Sequence, residues 1–221
     1  MKTALILGST GLIGSLLLEK LLNHPEYSTI VSVVRKPQNM NHPKVVEVIT
    51  DFNSEPNLDD VKQIDSIFSC LGTTRKKTPD LEAYHKIEVD IPVHFAQLGV
   101  DKGLTKFHYI SSVGANADSS NFYLKTKGEA EQKLQNIGIK HLYLYRPSLL
   151  TGHRGEFRFV EKMSEKIAPF INLFLQGSLS KYKSIDAEKV AESLLINDLK
   201  TDSHKVSILH FNEIINSNPK I

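Results

Sequence analysis

The chain has little of what would place a protein outside the cell, across a membrane or on nucleic acid. Its 221 residues include a single cysteine, Cys70, so no internal disulfide can form, which fits a reducing compartment. Apolar runs are short. The first, Ala4-Leu5-Ile6-Leu7, stops at Gly8, well below the length of a secretory leader. The longest, residues 167–175, is about half of a membrane span and contains Pro169 and Asn172. Neither sign of charge dominates: 27 Lys and Arg against 25 Asp and Glu leave a formal charge of +2, too weak a field to favour nucleic acid. The nine histidines, His108 and His153 among them, show no pair at metal-site spacing, so no metal is expected. The expectation is a soluble, cytoplasmic protein without a membrane span, a monomer or homodimer.

What is present is an alternation. Short apolar runs rich in β-branched residues alternate with segments of helical period, the pattern of a doubly wound, mostly parallel α/β sheet of Rossmann type with helices on both faces. Strands are expected over 3–7, 29–34, 45–49, 66–70, 107–110, 142–145 and 206–209. Helices are expected over 12–22, 81–98, 121–135 and 186–195. Pro92 should kink or break the second helix, Ser119 or Ser120 should cap the third, and Asp186 should cap the fourth. Residues 1–221 read as a single nucleotide-binding domain, with a core over about 1–150 and a substrate-side elaboration over about 151–221.

The turn Gly8-Ser9-Thr10-Gly11-Leu12-Ile13-Gly14 leaves the first strand and opens the first helix. In that context glycines let the backbone approach a pyrophosphate, and the helix N-terminus supplies unpaired N–H groups and a positive dipole end. The spacing is GxxGxxG, not GxGxxG. At the end of the second strand stand Arg35 and Lys36, where an acid would serve the ribose of NAD(H) and a base pairs with a 2′-phosphate. NADP(H) is therefore the expected cofactor, with NAD(H) the alternative.

Tyr123 and Lys127 lie four residues apart on a helix, one turn above the other. A tyrosine is a poor base near neutrality, but a neighbouring ammonium stabilises its phenolate, and the pair can then exchange a proton with a carbonyl or alcohol. Ser111 and Ser112 end the preceding strand, at the sheet edge where ligands of such folds gather.

Together with Cys70-Leu71-Gly72-Thr73-Thr74-Arg75, Ile110-Ser111-Ser112-Val113-Gly114-Ala115, Ser119-Ser120-Asn121-Phe122-Tyr123-Leu124-Lys125-Thr126-Lys127-Gly128-Glu129 and Tyr145-Arg146-Pro147, the glycine turn resembles the atypical short-chain dehydrogenase/reductases. The branch it looks most like contains the Tat-interacting tumour-suppressor oxidoreductase and its bacterial relatives. The resemblance covers about the first 155 residues. It implies Tyr123 as proton donor or acceptor, Lys127 as its electrostatic support and a ribose ligand, and Ser112 as the catalytic serine. It further implies that Leu71, Gly72 and Thr73 line the cofactor, that Asp51 reaches the adenine amine, and that Pro147, Leu149 and Leu150 pass near the nicotinamide. The asparagine-rich motif of many relatives is replaced by Gly72-Thr73-Thr74-Arg75, so their proton relay does not transfer. The short tail after Gly152 argues against a large nucleotide-sugar substrate.

The expected function is NADP(H)-dependent hydride transfer to or from a small carbonyl or alcohol. An NADPH-sensing regulator without catalysis, and an epimerase or dehydratase with retained cofactor, are the alternatives. The Arg75-Lys76-Lys77 cluster reads as a solvated loop, and Arg154 and Arg158 either as contacts to cofactor phosphate or an acidic substrate or as surface cations. The apolar run at 167–175 reads as core packing.

Overall fold

A computed structural model describes residues 1–152, 177–201 and 204–217. In chain order the elements are β1 (Lys2–Leu7), α1 (Leu12–Asn23), β2 (Tyr27–Val34), β3 (Val45–Ile49), β4 (Ser66–Ser69), α2 (Leu81–His85), a π-helical turn (Lys86–Asp90) and α3 (Ile91–Asp101). They continue with β5 (Lys106–Ile110), α4 (Phe122–Gln135), β6 (His141–Tyr145), β7 (Leu150–Thr151), β8 (Ile185–Asp186), α5 (Ala187–Leu199), β9 (Val206–Leu209) and α6 (Phe211–Ile215). Seven strands form one parallel sheet in the order β3-β2-β1-β4-β5-β6-β9. The order reverses at β1, between β2 and β4, which opens a crevice at the C-terminal strand ends.

The period of two in β1 shows how both faces are covered. Ala4 and Ile6 pack with Leu17, Leu18, Val190 and Leu194 of α1 and α5, whereas Leu5 and Leu7 pack with Val89, Phe95, Ala130 and Leu134 on the opposite face. Asp186 caps α5 as expected, accepting from Glu188 N–H at 2.8 Å, but α4 is capped by Asn121 and neither of the serines before it.

The break expected at Pro92 takes the form of the π turn just before it. In a continuous α-helix residue 92 would donate to the carbonyl of Glu88, and proline has no N–H to give. That carbonyl instead accepts a hydrogen bond from Tyr109 Oη at 2.9 Å. The sequence pattern missed the β7–β8 pair and α6, which are only two and five residues long. His153, Arg154, Arg158 and the apolar run at 167–175 lie outside the described residues. Among the described residues, no helix is long and apolar enough to cross a membrane.

Candidate functional site

The crevice is a cleft of about 590 Å³, within the size range of small-molecule sites. Its floor is the glycine turn. Gly8 has φ +83°, and a Cβ there would stand 2.9 Å from the carbonyl oxygen of Cys70. A Cβ on Gly14 would lie 2.1 Å from the Gly8 carbonyl oxygen, so no side chain fits where helix meets strand. Gly11 N-caps α1 without a side-chain hydrogen bond, and no acid occupies the first turn. The first N–H groups of α1 and its positive end are therefore left for a ligand, and the floor fits a dinucleotide pyrophosphate.

Of the residues expected around a cofactor, Gly8, Thr10, Gly11, Leu12, Ile13 and Arg35 line one part of the cleft. Leu71, Gly72, Thr73, Tyr123, Lys127, Pro147 and Leu150 line the rest. The others are placed elsewhere. Ser9 is buried with its Oγ 2.8 Å from that of Ser32, and Gly14 serves the packing of the turn. Lys36 and Leu149 are exposed away from the lining, and Asp51 accepts from Asn53, at 2.8 Å from its backbone N–H. Ser112 is also off the lining, its Oγ donating to the Val113 carbonyl at 3.3 Å; Ser111 faces the cleft instead.

Ser111 is itself committed. Its hydroxyl donates to Glu131 Oε1 at 2.5 Å, and Arg146 Nε donates to the same oxygen at 2.9 Å while its Nη2 pairs with Oε2. Arg146 of the Tyr145-Arg146-Pro147 motif thus orients the serine through α4.

Lys127 and Tyr123 occupy contrasting settings on α4. Tyr123 is 40% exposed on the cleft wall, whereas Lys127 is 4% exposed. The Lys127 ammonium is ion-paired with Glu88 Oε2 at 2.7 Å and donates to the Ile110 carbonyl at 2.7 Å and to Tyr109 Oη at 3.2 Å. Burial is the largest influence and works against this charge, but Glu88 together with Tyr109 and Tyr123 outweighs it and holds the ammonium above the ordinary lysine range. The other oxygen of Glu88 accepts the Thr73 N–H at 2.8 Å, so one carboxylate joins the loop after β4 to the lysine. Gly128 beside Lys127 admits the loop after β5; a Cβ there would stand 2.2 Å from Ala117 N.

Sequence reasoning missed Glu88 as a site residue. Its signal was Pro92, four positions on, which frees the Glu88 carbonyl for Tyr109 and keeps this turn against Lys127. Cys70, Thr74 and Ser148, within the stretches 70–74 and 147–150 expected beside the cofactor, also line the cleft, as do Arg75 and Tyr84, which were not expected there. Burial pushes the Cys70 thiol up to about 12, so it is no nucleophile near neutrality.

Comparison with known proteins agrees with this geometry. The model of the NAD dependent epimerase/dehydratase family matches residues 4–187. The chain therefore belongs to the NAD dependent epimerase/dehydratase family, and its fold is of Rossmann type. It is an enzyme-type member of a nicotinamide-binding family whose chemistry is that of oxidoreductases and epimerases. It is 31% identical over 228 residues to "Protein fmp52-1, mitochondrial" of Aspergillus terreus, covering 97% of this chain and 98% of that one. It is likewise 31% identical to "Protein FMP52, mitochondrial" of Candida albicans over 84% of each chain. Among solved structures, MoeE5 in complex with UDP-glucose and NAD shares the fold at a TM-score of 0.67 and 17% identity, with 97% of this chain and 79% of that chain covered. The relatives' names correct one expectation. Both are called mitochondrial, so the cytoplasmic assignment is withdrawn. A lone cysteine and short apolar runs speak to disulfides and membrane spans, not to which compartment a protein occupies.

Proposed function

We propose that the protein is an NADP(H)-dependent oxidoreductase acting on a small carbonyl or alcohol, with Tyr123 as the proton-transferring group. The observation that carries this reading is the meeting of Tyr123 and the buried Lys127 ammonium in the same cleft as the uncapped glycine turn. When bound, the nicotinamide supplies or accepts the hydride. Tyr123 gives its hydroxyl proton to the substrate oxygen in reduction and takes it back in oxidation. Lys127 stabilises negative charge on that side of the cleft through its field. Two of its hydrogens are given to Tyr109 and the Ile110 carbonyl and its charge is paired with Glu88, which fixes the ammonium in place beside the cleft. Ser111 takes the place expected of Ser112. With its hydrogen given to Glu131, its free lone pair accepts from an alcohol O–H, and donation to a carbonyl requires the hydroxyl to turn.

Leu71, Gly72, Thr73, Pro147 and Leu150 follow the cofactor along the cleft, and Arg35 at the end of β2 pairs with a 2′-phosphate. Arg35→Ala should weaken NADPH at least tenfold and NADH less than twofold, read by calorimetry; equal losses would remove the NADP assignment. Kinship with the Tat-interacting oxidoreductase branch, narrowed most by the motifs at 119–129 and Tyr145-Arg146-Pro147, belongs to the same reading.

The family match favours a second reading, epimerisation or dehydration with retained cofactor, by the same residues. A panel of carbonyl metabolites followed by NADPH consumption separates the two, since the second predicts no net consumption. Tyr123→Phe should reduce turnover by about 10²-fold or more while NADPH affinity stays within twofold. A variant that turns over every substrate as fast as the wild type would refute the proton-transfer role.

A further inference from the structure

The loop after β4 places a cation at the Tyr123 end of the cleft for which the chemistry above has no use. Arg75 lines the cleft with Thr74, Tyr84 and Tyr123. Its guanidinium lies over the ring of Phe122, 5.7 Å from the centroid, and Phe122 in turn meets Tyr84 edge to face at 5.4 Å. Stacking fixes the plane of a guanidinium without using any of its N–H groups, so the five donors stay open to a ligand. Among the described residues no carboxylate comes within ion-pair distance of Arg75. The acid near it, Glu88, is already neutralised by Lys127 at 2.7 Å. Arg35, the cation placed for the cofactor, follows β2, whereas Arg75 follows β4 and rests on the residue next to Tyr123.

We infer that the substrate is an acidic carbonyl compound, with a carboxylate held by Arg75 on the cleft wall it shares with Tyr123. The inference rests on the reductase reading for what the cleft holds, and it narrows the substrate class. A planar guanidinium whose face rests on an aromatic ring is suited to take a carboxylate bidentately through its N–H edge. The carbonyl then projects toward Tyr123 and Ser111.

The test is calorimetric titration of the NADPH-loaded protein with phenylpyruvate and with its uncharged ethyl ester. The acid should bind at least tenfold more tightly than the ester. Arg75→Met should remove that preference, leaving the ester within twofold, and Arg75→Lys should restore only part of it because a point charge lacks the fork. NADPH affinity should be unchanged in both variants. Equal binding of acid and ester, no binding of either, or a preference that survives in Arg75→Met would overturn the inference and return Arg75 to a solvated surface role. A tenfold loss of NADPH affinity in Arg75→Met would overturn it differently, by assigning the arginine to cofactor phosphate. The titration needs no turnover. An acid preference that depends on Arg75, in a protein whose Tyr123→Phe variant is fully active, would reject the proton-transfer role and leave this site standing.

Discussion

Glu88→Gln should cost about 3–5 kcal/mol of stability, because it strips the counter-charge from an ammonium that is almost fully buried. Urea unfolding at neutral pH is the measurement, and a cost under about 1 kcal/mol would contradict the pairing. Glutamine keeps the size of the side chain and can still accept the Thr73 N–H, so the loss reports the charge and not a cavity. The sign of the pH response follows from Lys127. In the wild type its folded pKa lies above the ordinary lysine value, so the pair's contribution is complete below about pH 10 and fades above it. In Glu88→Gln burial acts alone and depresses that pKa, so the variant's deficit should shrink as pH rises towards 10. The double variant Glu88→Leu/Lys127→Met should be more stable than either single change, since it removes both charges together.

The second large effect lies at the other edge of the sheet. Asp198 is fully buried at the end of α5 and accepts from Tyr27 Oη at 2.6 Å and Lys2 Nζ at 2.9 Å. His108 Nε2 stands 3.2 Å from its other oxygen, with the imidazole stacked between Phe68 and Tyr143. Burial opposes the Asp198 charge, but His108 and Lys2 outweigh it and hold the carboxyl below the usual carboxylate range. Burial also holds His108 below the usual histidine range, so it is neutral when folded and gives Nε2–H to Asp198.

Asp198→Ala should therefore cost about 3–5 kcal/mol by leaving a buried phenol, an imidazole and an ammonium without their shared acceptor. Both depressed groups contribute stability above their unfolded pKa values and lose it as pH falls. Wild-type stability should decline below about pH 6.5 as unfolding lets His108 protonate, and more steeply below about pH 4. His108→Gln should flatten the first part of that decline; an unchanged profile would show that another group is responsible. Lys2, Tyr27 and Lys106 begin their strands, whereas the cleft stands at the strand ends. Folded Asp198→Ala should accordingly bind NADPH as the wild type does.

The seven main strands were legible because each is a short apolar run with clear ends, most of them beside a helix of clear period as β1 and α1 show, and β3 by its Val/Ile run alone. Asp186 was legible as a cap because its chemistry acts within two residues. The glycine turn could be read for the same reason: the strand before it and the helix after it are adjacent in sequence. What could not be read depends on distant partners. Nothing local tells Ser111 from Ser112; Glu131 and Arg146, brought in by α4 and β6, hold the first at the cleft. Glu88 sits among Ile87, Val89 and Ile91 like a stray polar residue, and only the approach of Lys127 and Thr73 gives it a role. Arg75 read as loop charge because the Phe122 ring beneath it lies 47 positions away.

The roles proposed for these residues presuppose that the cleft takes a nicotinamide dinucleotide. Titration of the wild-type protein with NADPH and NADH by calorimetry tests this most directly. The structure predicts one saturable site per chain, with NADPH bound at least tenfold more tightly through Arg35. Saturable binding of neither nucleotide would contradict the account at its foundation, the uncapped turn at Gly8, Gly11 and Gly14.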